Sequence, residues 1–337
     1  CKGCKVECPA SVDMAAYKAE FLSSYYEVNR RPLAAEFFGR IHEVARAAAV
    51  APALANRVSQ STFGGWVKRH LGLHPERNLP RFAPRTFRAW FKAREAANET
   101  GKEVLLFPDT FNNFFEPEVA IAAVEVLERA RFRVVIPPRD LCCGRPLYDQ
   151  GMLDLARRRL LGAMAALAPF VARGVSVVGL EPSCILSFRD ELPSMFPRVS
   201  EARALAQHSF MLDEFLAREA PALTPPQLGG RALVHGHCHQ KALASLTDEL
   251  ALLRKVPGLA VESPDSGCCG MAGAFGYGAE RYEISRTIGE RVLLPAVRNS
   301  VADTLIVADG FACRSQIRQF CPDRRPLHLA QVLNLKT

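Results

Sequence analysis

Two adjacent cysteines followed by glycine occur twice in this chain, as Leu141-Cys142-Cys143-Gly144 and as Gly267-Cys268-Cys269-Gly270. Each pair has partners at matched distances. Cys143 is followed by Cys184 after 40 intervening residues, and Cys269 by Cys313 after 43. Cys238 stands 29 intervening residues ahead of its pair, and Thr110 holds the corresponding place 31 ahead of the other. An internal repeat constrains the fold before any other feature, because two copies of one sequence unit require two copies of one supersecondary arrangement.

The texture around the cysteines says which arrangement. Residues 104–107, 134–136 and 175–180 read as short apolar strands, with helices over 118–130 and 153–167. After a helix near 201–218 and a proline-rich linker over 221–230, strands recur at 232–235, 259–262 and 304–308, with a helix over 280–297. Alternation of this kind predicts an α/β fold: two pseudo-repeated, Rossmann-like α/β subdomains with parallel sheets, over 101–220 and 221–337. Every cysteine of the repeat falls just beyond a strand's C-terminal end, the crevice where open α/β sheets take ligands. Ahead of them, residues 1–30 read as a partial helical, ferredoxin-like cluster segment and 31–100 as a helical, basic linker. Within these, helices are expected over 13–28 and 33–58, and a loop-rich connector over 60–86, where Gly64-Gly65 and three prolines fall.

Eleven cysteines in 337 residues are too sparse for a disulfide scaffold and too clustered for incidental core residues. Clustered thiols point to metal or redox chemistry. Only Cys321 stands outside a group. The opening run Cys1-x2-Cys4-x3-Cys8-Pro9 matches the last three cysteines and the proline of a bacterial ferredoxin motif. A zinc knuckle on Cys1 and Cys4 is the alternative. A ligand run at the first residue, without an initiator Met, is read as a fragment whose front half is missing. The apolar stretches 47–55 and 160–172 are shorter than a membrane span and contain Pro52 and Pro169. The net charge is +8, and residues 66–95 carry eight basic residues against Glu76 and Glu95. That stretch could meet nucleic acid or anionic lipid, or be a solvated linker or the docking face for an acidic partner; no nucleic-acid motif accompanies it.

Cys238, Cys268, Cys269 and Cys313 are four thiols arriving from three strand ends, enough for one iron–sulfur cluster. Gly267, Gly270 and Gly273 let the adjacent pair splay and let backbone N–H groups approach sulfur. The first copy offers Cys142, Cys143 and Cys184 alone, so the complete site is expected in the second, and the first is a decayed metal site, one of lower occupancy, or one completed by a non-cysteine ligand. Zinc on the same four thiolates is the chemical alternative. His235, His237 and His239 surround Cys238, either as proton donors beside a redox centre or as helix caps. Arg145 and Arg314 follow cysteine motifs, where they either offset cluster charge or lie exposed on the surface.

The motifs together resemble a family. Phe-Pro-Asp-Thr-Phe-Asn-Asn (107–113), Gly-Leu-Glu-Pro-Ser-Cys (179–184), Val-His-Gly-His-Cys-His (234–239) and Ala-Asp-Gly-Phe-Ala-Cys-Arg (308–314) are similar to the C-terminal iron–sulfur part of FAD-linked D-2-hydroxyacid dehydrogenases, of D-lactate, D-2-hydroxyglutarate or glycolate oxidase type. The glycine-flanked cysteine pairs also resemble those of heterodisulfide reductases. The resemblance implies 4Fe–4S clusters on Cys1, Cys4, Cys8 and the second cysteine set. It further implies FAD in an upstream domain or a separate flavin-binding protein, and a quinone or electron carrier as acceptor, without nucleic acid. It places the chain in the cytoplasm or peripherally at the inner face of the membrane. A thiol/disulfide reductase and a zinc-stabilised docking scaffold are the other readings. Cys184 and Cys313 lack the second cysteine of the heterodisulfide reductase motif, and no flavin or nicotinamide fingerprint occurs.

Overall fold

A computed structural model describes residues 1–336, the side chain of Val6 aside. The first repeat contributes strands β1 (Glu103–Phe107), β2 (Arg133–Val135), β3 (Ser176–Gly179) and β4 (Ser209–Met211), in the order β2-β1-β3-β4. The second contributes β5 (Gly230–Val234), β6 (Leu259–Glu262), β7 (Leu305–Val307) and β8 (Pro326–Leu327), in the order β6-β5-β7-β8. Every pairing is parallel, with Val104 opposite Val134 and Ser176, and Leu233 opposite Glu262 and Ile306. The two sheets therefore share one topology, and the α/β pseudo-repeat read from the cysteine spacing holds.

Side-chain alternation along the central strands sorts residues between two layers. Val104 and Leu106 face a core shared by both sheets, together with Val178, Ala232, Val234 and Val307. The helices Pro117–Arg129, Leu212–Glu219 and Thr247–Arg254 fill it with Val119, Val126, Phe215, Leu216 and Leu253. Leu105 and Phe107 point the other way, onto Leu160, Ala163 and Leu167 of the helix Leu153–Val171. Leu233 and Ile306 do the same on the second sheet, against Leu294, Val297 and Ile317. Each fully buried aliphatic side chain contributes about 1.5–3 kcal/mol, so the shared middle layer holds the repeats in one fixed relation.

Five elements differ from the sequence reading, each for a local reason. Residues 33–58 form three helices, Leu33–Gly39, Ile41–Ala48 and Pro52–Ser59, the last restarting at Pro52, whose missing N–H suits a first turn. The connector 60–86 contains the helix Thr62–His70, capped by the Ser61 hydroxyl. Gly64 is there because a Cβ would stand 2.4 Å from the Val58 carbonyl oxygen. The helix expected at 201–218 is two helices, Ser200–Gln207 and Leu212–Glu219, around the three-residue strand β4. Residues 280–297 likewise divide into Tyr282–Glu290 and Leu293–Asn299. Strand β8, two residues long, has no signature in the sequence; pairing with β7 makes it.

The N-terminal helices roof the cysteine-bearing strand ends. Gly3–Glu7 lies on Cys238–Leu243, Leu33–Gly39 on Arg145–Asp149, and Ile41–Ala48 on Thr110–Phe114. Among the described residues no helix is long and apolar enough to cross a membrane.

Candidate metal centre

Strand β5 runs directly into the turn His235-Gly236-His237 and then the helix Cys238–Leu243, which puts Cys238 in the first helical turn. Strand β7 leads in the same way to the helix Phe311–Phe320, with Cys313 in its first turn. Unsatisfied backbone N–H groups at such termini favour thiolate. Cys268 and Cys269 arrive from the loop after β6. Gly270 adopts φ +95°, and its N–H reaches the Cys268 sulfur at 3.3 Å. The four thiols form a chain of contacts, Cys238 to Cys268 to Cys269 to Cys313. The Cys268 contact pulls the Cys269 thiol down, but the Cys313 contact and burial outweigh it and push it well above the ordinary thiol range. With Cys269 and Cys313 buried and Cys238 and Cys268 half-buried, such a set of mutually touching thiols is unfavourable as free thiolates and suited to shared cations.

The three histidines close this set from behind. His235 offers a ring nitrogen that lies with the Cys269 and Cys313 sulfurs in a group whose ligand atoms are all within 4.8 Å of one another. Its Nδ1 is 2.7 Å from the Ser266 hydroxyl, and its Nε2 is buried without a hydrogen-bond partner. His239 Nδ1 is 3.5 Å from the Cys238 sulfur, and its Nε2 is also buried and unpartnered. Burial keeps both imidazoles neutral, lowering His235 to about 3 and His239 well below its ordinary value. His237 is a helix cap, accepting from the His239 N–H at 3.2 Å, which is one of the two roles open from sequence. Orphaned imidazole nitrogens beside four converging thiols fit an anionic iron–sulfur cluster, to whose sulfurs they can donate, and they equally fit a metal ion they can ligate.

The first set is built differently. Cys142, Cys143 and Cys184 are buried and in contact through Cys143. Thr110, standing where the second repeat has Cys238, binds His42 of the roof, with Oγ1 3.0 Å from Nδ1. The fourth corner is thus occupied by a Thr–His pair. Neither His42 nor Glu181 stands out in the sequence. Glu181 lies three residues before Cys184, as Gly310 does before Cys313, so aligning the repeats exposes the difference. A Cβ at Gly310 would lie 2.3 Å from the His237 ring, whose Nε2 sits 4.0 Å from Glu181 Oε1.

The arginines are buried, so the exposed-surface reading does not hold. Arg314 is bound by Glu116 Oε2 at 2.6 and 2.9 Å and by the carbonyl oxygens of Ala308 and Asp309. Arg145 pairs with Glu191 and, at 3.0 Å, with Asp149. Both guanidinium charges are balanced by carboxylates before they reach any thiol. Cys321 packs in the outer core of the second sheet, in the same cluster of buried side chains as Cys269 and Cys313, with its sulfur 3.9 Å from the Leu294 carbonyl oxygen.

The N-terminal run docks on the second set. Lys2 is buried and held by Asp13 at 2.5 Å, Asp190 at 2.6 Å and Glu191 at 2.9 Å. Burial opposes its charge, but the carboxylates outweigh burial and raise its pKa. Cys1 accepts the Gly3 N–H at 3.3 Å, and Cys8, half-buried, is held below the ordinary thiol range by backbone N–H groups of Val12 and Ala10. A cavity of roughly 530 Å³ touches all three cysteine groups, through Cys1, Cys184, and Cys238 with Cys268 and Cys269. Elsewhere its wall is mostly apolar, from residues such as Phe37, Ile41, Leu54, Val67, Phe111 and Phe311, with Lys68, Arg145, Asp149 and Glu181 among its polar members.

Comparison with known proteins agrees with this architecture. The cysteine-rich domain family CCG matches residues 107–189 and 232–318, one copy on each sheet. The chain is 30% identical over 252 residues to a component of the anaerobic glycerol-3-phosphate dehydrogenase of Escherichia coli, covering 73% of this chain and 63% of that one. It is 27% identical over 349 residues to D-2-hydroxyglutarate dehydrogenase of Pseudomonas putida, covering 99% of this chain and 33% of the relative. It thus spans under two thirds of the length of either dehydrogenase protein. Lactate utilization protein A of Bacillus velezensis is 32% identical over 248 residues, 69% of this chain and 99% of its own length. With two matched copies spanning about half of its length, each carrying its cysteines at the strand ends, the chain belongs to the CCG cysteine-rich domain family.

Proposed function

We propose that this chain is the electron-transfer part of a flavin-linked dehydrogenase acting on a D-2-hydroxyacid or a similar small hydroxylated substrate. Electrons from a flavin-binding partner would arrive at Cys1, Cys4 and Cys8, pass to the second cysteine set, and leave to a quinone-type acceptor. The observation that carries this reading is the apolar cavity that touches Cys1 at one place and Cys238, Cys268 and Cys269 at another. The names of the relatives, two of them dehydrogenase proteins and one a lactate utilization protein, support the substrate class.

An iron–sulfur cluster bound by Cys238, Cys268, Cys269 and Cys313 would supply one-electron chemistry at the cavity's end. The protein's own residues do the rest. The Gly270 N–H and the two helix N-termini direct donors toward sulfur, which stabilises added negative charge. The aromatic and aliphatic wall excludes water from the acceptor. The unpartnered Nε2 of His239, in the cavity wall, is placed to hydrogen-bond a carbonyl oxygen of a bound quinone. A quinone takes up two electrons and two protons to become a hydroquinone, the protons coming from solvent.

Zinc is the second reading, favoured by the compact His235–Cys269–Cys313 group, whose three ligand atoms suit a small ion. Anaerobic reconstitution with iron and sulfide, followed by metal analysis and electron paramagnetic resonance, separates the two. The redox reading expects a reducible iron signal that a short-chain quinone reoxidises. Stoichiometric zinc without such a signal sinks it.

A further inference from the structure

The roof of the cavity has a surface chemistry that electron transfer alone does not require. From Val44 to Pro75 the chain carries Arg46, Arg57, Lys68 and Arg69 and not one Asp or Glu. Arg46, Arg57 and Arg69 are exposed. Arg81, also exposed, adds a further cation beside the helix end by donating to Gln60 at 2.9 Å. Among these charges the helices Pro52–Ser59 and Thr62–His70 expose large apolar side chains, Leu54 at 61%, Val58 at 42%, Phe63 at 59% and Trp66 at 47%. Phe63 and Trp66 stack on each other with ring centroids 5.7 Å apart. Leu54 and Val58 are at once exposed and part of the cavity wall, so they mark its mouth.

We propose that these two helices are a lipid-facing lip, with Leu54, Val58, Phe63 and Trp66 seated in the headgroup region of an anionic bilayer. The inference rests on the proposed function for one point only, that a lipophilic acceptor uses the cavity. Three observations select an anionic lipid surface. From Val44 to Pro75 the segment carries cations and no carboxylate, which complements anionic headgroups. Its aromatic pair has the amphipathic character that concentrates at the water–hydrocarbon boundary. The apolar surface continues inward as the cavity wall, so a lipid-soluble molecule can move from acyl chains to the cysteine centre without crossing water. Short amphipathic helices lie in the interface plane on this combination of buried apolar area and basic charge.

Vesicle binding tests this without any metal in the protein. The Trp90→Phe chain retains Trp66 as its one indole, since the sequence holds two tryptophans. This protein is mixed with phosphatidylcholine vesicles, with or without phosphatidylglycerol, some bearing brominated acyl chains. Co-sedimentation with the anionic vesicles and quenching of Trp66 by the brominated chains are expected. Phe63→Ser combined with Trp66→Ser, both exposed and therefore compatible with folding, should weaken co-sedimentation of the otherwise native chain about tenfold or more. The proposal is overturned if the protein stays in solution with both vesicle types, if it sediments with Trp66 unquenched, or if the double variant binds as well as the parent. Loss of reoxidation by a water-soluble short-chain quinone would instead sink the proposed function, and the vesicle result would stand apart from it.

Discussion

Glu181 of the first repeat accepts a hydrogen bond from the backbone N–H of Phe311 in the second, at 2.7 Å. Phe311 begins the helix that carries Cys313, so a carboxylate in one repeat caps a ligand-bearing helix in the other. The same side chain accepts from the Ser183 hydroxyl at 2.7 Å, beside Cys184. Glu181→Ala removes both contacts and orphans a buried helix-terminal N–H, a loss of about 1–2 kcal/mol. Glu181→Gln keeps a carbonyl acceptor and should recover most of it. Thermal unfolding of the two variants checks this, and equal midpoints would show that the cap is idle.

Gly270 and Gly267 flank the same cysteine pair yet should respond oppositely to a methyl group. At Gly270 the backbone is left-handed, φ +95°, and a Cβ would stand 2.0 Å from the Ser285 carbonyl oxygen. At Gly267 the nearest atom would be the Glu7 carboxylate at an ordinary 3.6 Å. Gly270→Ala is expected to cost more than ~2 kcal/mol, and Gly267→Ala close to nothing. Soluble yield and unfolding midpoint measure the contrast.

The shared layer hides a pH-sensitive pair. Gln240 donates to Asp213 at 3.2 Å and to Glu249 at 2.8 Å, and among the described residues neither carboxyl has a cationic partner. Burial and the neighbouring Asp309 push Asp213 up to about 8, and burial and the same neighbours push Glu249 well above its usual range. The folded state therefore holds more protons than the unfolded one above about pH 4, so stability falls as pH rises toward 8. Asp213→Asn should flatten that decline and raise the unfolding midpoint at pH 8 relative to the parent. A parallel pH profile for parent and variant would refute the assignment.

The two cysteine sets should differ in metal content. Cys269→Ser is expected to remove the iron signal of the second set. Cys142→Ser should leave reconstituted iron unchanged, because the Thr110–His42 contact fills the fourth corner of the first. Equal losses in both variants would mean that the first set also holds metal.

Lys2 should prove to be the clamp of the N-terminal run. Lys2→Met leaves Glu191 buried beside Arg145 and strips Asp13 and Asp190 of their cation. Removing one member of a buried charged group costs about 3–5 kcal/mol when nothing relaxes. Here undocking of residues 1–13 offers relief, so faster proteolytic cleavage near Pro9 is the expected readout, with the sheets unaffected.

The repeat was legible because matched spacing of Cys142-Cys143 and Cys268-Cys269 survives in one dimension. So was the placement of each cysteine beyond a strand, since short apolar runs end visibly before each motif. Strand β4 was not, because Ser209–Met211 lies between two helical patterns and exists as a strand only through pairing with β3. The helix Thr62–His70 was hidden by Gly64-Gly65, of which Gly64 serves a close approach to the Val58 and Ser59 carbonyls and not a break.

By itself the sequence determined the repeated α/β unit and the three cysteine groups. Local spacing carries that information, because strand period and ligand spacing are properties of neighbours along the chain. Tertiary structure alone decided that His42 pairs with Thr110, that Glu181 reaches across to Phe311, and that Cys1 shares a cavity with Cys268. Those contacts join residues 68, 130 and 267 positions apart. They form only when the common hydrophobic layer has locked both sheets and the helical roof together.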